Sequence, residues 1–147
     1  MRQVALVVEG NVHAGKLYKF FIERSGYHAI VTEDPEKALR LACAWQPDLV
    51  VLDTHFAGDA SARLVERMRS ASKRTIHIIL TSCEEIEKAS SMALHADAII
   101  AKPFDCQQIA TAIDQVLNKI TISSARDDSA TSVQNKGPRQ VSTSSAA

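Results

Sequence analysis

The chain of 147 residues lacks a net charge, a membrane-length apolar run and a cysteine pattern typical of a metal site. Its 17 Lys and Arg residues balance its 17 Asp and Glu residues, which argues against nucleic acid as a partner. The longest apolar stretches are only as long as strands, so we expect neither a membrane span nor a membrane partner. Residues 1–3 lead directly into an apolar segment, and no secretory signal is expected.

The cysteines indicate a reducing environment. Cys43, Cys83 and Cys106 are odd in number and have no metal-ligand spacing. Thiols of this kind fit a cytoplasmic protein, which is the localisation we predict. With 46% hydrophobic residues, the chain can bury one core and form one domain.

Short apolar segments alternate regularly with helical patterns along the chain. The predicted strands are Val4–Val8, Tyr27–Val31, Leu49–Asp53, Ile76–Thr81 and Ala98–Ala101. Because these runs are continuously apolar, they predict a parallel sheet that is covered on both faces. Right-handed crossovers then favour a doubly wound α/β fold, a flavodoxin-like (βα)5 arrangement with strand order 2-1-3-4-5.

Helical periodicity fills the intervals between the strands. Leu17, Phe20 and Phe21 recur at spacings of three and four, and this first pattern stops at Ser25–Gly26. Asp34 can cap a second helix, which ends near Trp45. The inward positions are Ala38, Leu39, Leu41 and Ala42 in the second helix and Leu64, Val65 and Met68 in the third. A fourth helix is predicted at about residues 84–94 and a fifth at about residues 105–120.

The composition changes after Ile120. Residues 121–147 are rich in Ser, Thr and Ala and contain no aromatic residue. Such a segment buries too little surface to offset its ordering entropy. We therefore expect a domain of residues 1–120 followed by a disordered tail of residues 121–147.

Four residues suited to phosphoryl chemistry follow or end the predicted strands. Asp53 ends the third strand, Thr81 the fourth, Lys102 follows the fifth and Glu9 follows the first. The carboxyl ends of parallel strands share one edge of a sheet, so these side chains should meet there. A carboxylate can attack phosphorus as a nucleophile, and the ammonium and hydroxyl can neutralise the phosphoryl oxygens. Asp53, Thr81 and Lys102 are thus the candidate catalytic residues, and Glu9 is a candidate metal ligand.

Each of these residues also has an ordinary interpretation. Asp53 could cap a turn, Thr81 could cap the next helix, and Lys102 and Glu9 could be surface charges. A different function is also open, because Gly10–Lys16 matches the Gly-x-x-x-x-Gly-Lys pattern of a nucleotide-hydrolysing phosphate loop. Leu17, however, stands where that loop needs a Ser or Thr, and this interpretation leaves Thr81 and Lys102 unexplained.

Several stretches together resemble the receiver domain of bacterial two-component response regulators. They are Gly26–Tyr27, Glu36–Leu39, Pro47–Asp53, Ile79–Ser82, Ala96–Asp97 and Lys102–Phe104. The resemblance covers about residues 3–120. It implies a signalling domain rather than an enzyme, which accepts a phosphoryl group on Asp53 from a histidine kinase or phosphotransfer protein. It also implies Mg²⁺, held by Glu9, Asp53 and the backbone carbonyl of His55.

The resemblance further implies how the signal leaves the domain. The family's usual contact surface is built from the fourth helix, the fifth strand and the fifth helix. There we expect a downstream protein target or a homodimer, since the sequence resembles single-domain regulators.

Some positions depart from the family pattern. Gly10 stands where the family has a second acidic residue, so weakened Mg²⁺ binding is expected. Ile99 occupies the aromatic switch position, so the readout must differ from the usual ring rotation. His55 and Cys83 flank the expected path of hydrolytic water and could tune the lifetime of the phosphoryl group. These departures leave open a pseudo-receiver that is never phosphorylated and acts as a protein-binding adaptor.

Overall fold

The computed structural model describes residues 3–53, 61–82, 96–102 and 105–135. For Ser82 and residues 123–135 it describes the backbone only. The chain divides into two units, Met1–Val116 and Leu117–Ala147, and the sheet lies within the first.

The first unit is built on a five-stranded parallel sheet in the order β2-β1-β3-β4-β5, which confirms the predicted fold class. The strands are β1 Val4–Val8, β2 His28–Thr32, β3 Leu49–Asp53, β4 His77–Ser82 and β5 Ala98–Ala101. The described helices are α1 Val12–Arg24, α2 Pro35–Trp45, α3 Ser61–Ala71 and α4 Cys106–Asn135. The predicted helix at about residues 84–94 lies outside the described residues.

Strands β1 and β3 are buried along their whole length, because helices cover both faces of the sheet. One face packs against α2 and α3. This core consists of Leu6, Val8, Ala38, Ala42, Val50, Leu52, Leu64, Val65, Met68, Ile76, Ile78 and Leu80. The predicted inward positions of the second and third helices all belong to this core or pack against it.

Local signals set where the helices begin. The side chain of Asn11 accepts a hydrogen bond from the N–H of Ala14 at 2.9 Å and caps α1. Asp34 caps α2 in the same way, through the N–H of Glu36 at 3.0 Å, with Pro35 in the first turn.

The inward face of α1 differs from the predicted pattern. The buried residues of this helix are Gly15, Tyr18 and Ile22, whereas Phe20 is 57% exposed. Gly15 explains this orientation, since a Cβ at this position would lie 3.1 Å from Cγ1 of Val31. The glycine lets α1 approach β2 closely, and this contact selects the face that Tyr18 shares.

The last helix is longer than predicted. The sequence analysis ends it near Ile120, whereas α4 continues to Asn135. Residues 106–135 contain neither glycine nor proline, and the first helix-breaking pair is Gly137–Pro138. The division into a domain of residues 1–120 and a disordered tail stays a prediction. Within the described part of the chain, no helix is long and apolar enough to cross a membrane.

The packing of α3 can be tested at Met68, which is fully buried against the sheet. Met68→Ala should lower the free energy of unfolding by about 2–5 kcal/mol, because it leaves a cavity in the core. Arg63→Ala, on the exposed face of the same helix, should change it by less than about 0.5 kcal/mol. Urea denaturation measures both values, and equal losses in the two variants would contradict the packing described for α3.

Candidate functional site

The carboxyl edge of the sheet brings the four predicted site residues together. Asp53 lies directly opposite Thr81 in the register of β3 and β4. Lys102 follows β5, and Glu9 follows β1, the other neighbour of β3. Asp53, Thr81 and Glu9 are 4%, 0% and 3% exposed. Burial of three polar side chains at one point costs free energy unless they find partners, so their contacts define the site.

Asp53 is held by an ion pair. Its Oδ2 accepts a hydrogen bond from Nζ of Lys102 at 3.0 Å, and the lysine side chain is only 23% exposed. A charge-assisted hydrogen bond in such a sheltered place is stronger than a surface pair. The ammonium therefore fixes the carboxylate at the mouth of the pocket.

Glu9 is fixed by backbone groups on both sides. Its N–H donates to the carbonyl of Thr32 at 3.0 Å, which continues the pairing of β1 with β2 by one residue. Its Oε2 accepts a hydrogen bond from the N–H of Asn11 at 3.1 Å. Glu9 and Asp53 lie within hydrogen-bonding reach of each other.

The protonation of Glu9 is strongly perturbed. The pKa of its carboxyl is raised from 4.5 to about 7, first by burial and then by its hydrogen bonding with Asp53. The N–H of Asn11 lowers this pKa, the charge of Asp53 raises it, and the charge of Lys102 lowers it. Glu9 is thus a carboxyl group that changes charge near neutral pH.

A pocket of about 720 Å³ opens at this edge. Its described lining consists of Glu9, Gly10, Asn11, Glu33, Asp34, Pro35, Asp53 and Lys102. Four carboxylates and one ammonium therefore face the same space. A negative pocket with a single cation at its rim is suited to a divalent cation together with a small anion.

The remaining positions singled out in the sequence are His55, Cys83, Ile99 and Gly10. His55 and Cys83 lie outside the described residues. Ile99 lies in β5 and packs against the core beside α2 and α3. Gly10 lines the pocket and leaves it without a side chain at that point.

Two residues of the site were missed from the sequence. Asn11 caps α1 and donates its N–H to Glu9, and Tyr18 is a buried phenol whose pKa is raised by burial and by the charge of Glu9. The cap could have been recognised, because an Asn before a helical pattern is a standard start signal. Tyr18 could not, since four nearby residues of α1 are also apolar or aromatic.

The phosphate-loop alternative is wrong. Helix α1 begins at Val12, so Gly15 and Lys16 lie inside a helix rather than in a loop that could wrap a phosphate. Gly15 is buried against β2, and Lys16 is exposed.

Comparisons with protein-family models and with known sequences point to the same family. A family model described as a response regulator receiver domain matches residues 5–114. The chain is 29% identical over 123 residues to the alkaline phosphatase synthesis transcriptional regulatory protein PhoP of Bacillus subtilis, covering 83% of this chain and 51% of that protein. It is 25% identical over 124 residues to the phosphate regulon transcriptional regulatory protein PhoB of Escherichia coli, covering 82% and 54%. The chain thus spans about half the length of these relatives.

Solved structures agree on the fold. A CheY-like receiver domain from Methylobacillus flagellatus matches with a TM-score of 0.69 and 21% identity, covering 82% of this chain and 99% of that one. A CheY-like receiver domain protein from Methanospirillum hungatei matches with a TM-score of 0.72 and 18% identity, covering 84% and 99%. At these identities the likeness establishes the fold.

The raised pKa of Glu9 gives a prediction for stability. In the unfolded chain this carboxyl ionises near pH 4.5, whereas in the folded protein it ionises near pH 7. Its contribution to stability is therefore complete below pH 4.5 and is lost as the pH rises through 7. Glu9→Gln, which cannot ionise, should be more stable than wild type at about pH 8, by on the order of 2 kcal/mol, and equal to it at about pH 4.

Urea denaturation of the metal-free protein over this pH range measures the difference. Glu66→Gln, at an exposed position of α3, should show no such trend. A difference between Glu9→Gln and wild type that does not grow with pH would contradict the assignment.

Proposed function

Because the chain belongs to the response regulator receiver domain family, we propose that Asp53 is its phosphoryl acceptor in two-component signalling. The observation that carries this proposal is the buried Asp53 carboxylate, opposite Thr81 in register and 3.0 Å from the Lys102 ammonium. Receiver domains are signalling domains that receive phosphoryl groups from histidine kinases or phosphotransfer proteins, and such a protein is the proposed donor here.

The proposed reaction is a displacement at phosphorus. A carboxylate oxygen of Asp53 forms the new bond to phosphorus, and the donor group leaves with the electron pair of the bond that breaks. Lys102 then moves from neutralising the carboxylate alone to pairing with a phosphoryl oxygen. The Thr81 hydroxyl, on the adjacent strand, donates a hydrogen bond to another phosphoryl oxygen.

The donor set fits Mg²⁺ only in part. The carboxylates of Glu9 and Asp53 are the oxygen ligands that this ion prefers. Within the described ranges, no three His, Cys, Asp or Glu side chains are grouped so that they could hold a metal ion. Since Mg²⁺ readily keeps several waters, two carboxylates suit an ion that remains largely hydrated. When bound, Mg²⁺ would neutralise charge on the phosphoryl group, and Glu9 and Asp53 are the residues that would hold it.

The proposed output surface includes β5 and α4. A groove of about 400 Å³ runs between them and is lined by Ile99, Gln108 and Thr111 among others. Strand β5 is an edge of the sheet, and its outer backbone groups do not pair with a further described strand. A partner protein or a second copy of the chain is proposed to bind there. The transcriptional regulation named for PhoP and PhoB belongs to those proteins.

Gly10 favours a second candidate function. The pocket has no carboxylate at position 10. The raised pKa of Glu9 leaves part of this carboxyl protonated, and therefore uncharged, at neutral pH. Both features weaken metal binding. A phosphorylation-independent adaptor would use the same fold as a binding module.

The acceptor role can be tested directly. Wild-type protein incubated with Mg²⁺ and acetyl phosphate should gain one phosphoryl group in intact-mass analysis, and Asp53→Asn should gain none, because it lacks the nucleophilic oxygen. Asp114→Asn, a matched change at an exposed position of α4, should behave as wild type. Unmodified wild-type protein at saturating Mg²⁺ would favour the adaptor instead.

The effect of Gly10 on Mg²⁺ binding can be tested by placing a carboxylate at this position. Gly10→Asp should increase Mg²⁺ affinity at least about tenfold, since a third anionic ligand at close range contributes more than 1.4 kcal/mol. Among the described glycines, positive φ is found at Gly26, so a side chain at position 10 meets no left-handed strain. Isothermal titration calorimetry without a phosphodonor measures the affinity. Gly10→Asn controls for size, and equal affinity of the two variants would contradict the proposal.

A further inference from the structure

Helices α2 and α3 leave between them a groove that the proposed function does not use. The groove has a volume of about 450 Å³. Its described lining consists of Leu39, Cys43, Glu66, Arg67, Ser70 and Ala71. Leu39 packs against the core beneath, whereas Cys43 and Ala71 are exposed. The groove therefore offers apolar surface to solvent, and its size is sufficient for a side chain of another molecule.

Arginines flank this groove on both helices. Arg67 belongs to the lining, and Arg63 precedes it by four residues, so both lie on the same face of α3. Arg40 of α2 precedes Cys43 by three residues, which places it beside the groove on the other helix. All three arginines are exposed. They can therefore meet a partner that approaches the groove.

A fourth cation is held at one end of the groove. The side chain of Gln46, at the end of α2, accepts a hydrogen bond from the N–H of Lys73 at 2.8 Å. It also donates a hydrogen bond to the carbonyl of Cys43 at 3.0 Å. These bonds fix the segment after α3 to the end of α2. The exposed Lys73 therefore lies near Cys43, at the end of the groove.

The charge of this surface is unbalanced. We call the groove lining, together with Arg40, Arg63 and Lys73, the basic groove. Glu36 pairs with Arg67 across the two helices at 3.6 Å, and both side chains are more than half exposed. Within the described part of the chain, no carboxylate forms an ion pair with the other three cations. The whole chain carries no net charge, so the positive charge is concentrated on this surface.

We propose that the basic groove binds an acidic segment of a partner protein. One apolar side chain of that segment lies in the groove, and its carboxylates contact Arg40, Arg63 and Lys73. Such a segment complements both the charge and the apolar part of the surface. The basic groove is separate from the β5 and α4 surface proposed for output, and binding there does not require phosphorylation of Asp53.

A protein segment fits this surface better than a nucleic acid does. Glu36 and Glu66 lie among the cations and would repel phosphates that are spaced regularly along a backbone. The described lining also contains no aromatic side chain on which a base could stack. A peptide can place its carboxylates away from the two glutamates, so the mixed charge pattern favours protein.

The charge contacts can be tested with the full chain and a labelled synthetic peptide in which glutamates flank a single leucine. Fluorescence anisotropy at physiological salt should show binding to wild type. Arg63→Glu should weaken the affinity at least about tenfold, because an attraction becomes a repulsion, and Arg40→Glu should act alike. Lys19→Glu, the same charge change at an exposed position of α1, should bind as wild type does. No binding to wild type, or an equal loss in Lys19→Glu, would overturn the proposal.

The apolar contact can be tested with a second peptide, in which serine replaces the leucine. This peptide should bind at least about threefold more weakly, because it buries less apolar surface in the groove. In NMR titrations with the first peptide, the amide signals of Leu39, Cys43 and Ala71 should shift. Equal affinity of the two peptides, or shifts confined to β5 and α4, would contradict the assignment.

Two other occupants give different results in these experiments. A single-stranded DNA oligonucleotide with as many negative charges as the peptide should bind more weakly, and equal or tighter binding would assign the surface to nucleic acid instead. Arg63→Glu should leave the sedimentation of the peptide-free protein unchanged. Loss of a dimer in this variant would identify a second copy of the chain as the occupant and would overturn the proposal.

Discussion

Parallel pairing of β1, β3, β4 and β5 is the constraint on which the site depends. Each strand is an apolar segment within the core, and a polar residue at or just after its carboxyl end lies at the same edge of the sheet. The register places Asp53 opposite Thr81, and a slip of one residue would turn either side chain to the other face of the sheet. The buried apolar residues on both faces make such a slip costly, so the core holds the chemistry in place.

The charges at this edge do not balance, and this imbalance gives the pocket its character. Lys102 neutralises Asp53, but Glu9 shares the same buried space without a second ammonium in the described lining. Burial, and after it the neighbouring Asp53, raise the pKa of Glu9 to about 7, and protonation of Glu9 reduces this imbalance. A cation held by Glu9, as proposed above, would compete with this proton near neutral pH.

The sequence predicted the strands that bring these four residues to one edge better than it predicted the helices around them. The ends of the strands can be recognised in the sequence, because a parallel strand that is covered on both faces is continuously apolar. The first polar residue after such a run marks the carboxyl edge of the sheet. In α1, residues 17, 18, 20, 21 and 22 are all apolar or aromatic, so periodicity alone could not select the buried face. Contact between Gly15 and Val31 made that selection, and tertiary contacts of this kind are absent from a local pattern. The end of α4 was missed because a change in composition is not a helix stop.

Helix α1 is connected to the pocket through its N-terminal cap. Its cap, Asn11, donates to Glu9, and one turn further Gly15 brings the helix close to β2. Tyr18 follows Gly15 by three residues and therefore lies on the same face. Tyr18 is buried on this face, where burial and the charge of Glu9 raise the pKa of its phenol. The glycine, which has no polar group of its own, is in this way part of the geometry of the site.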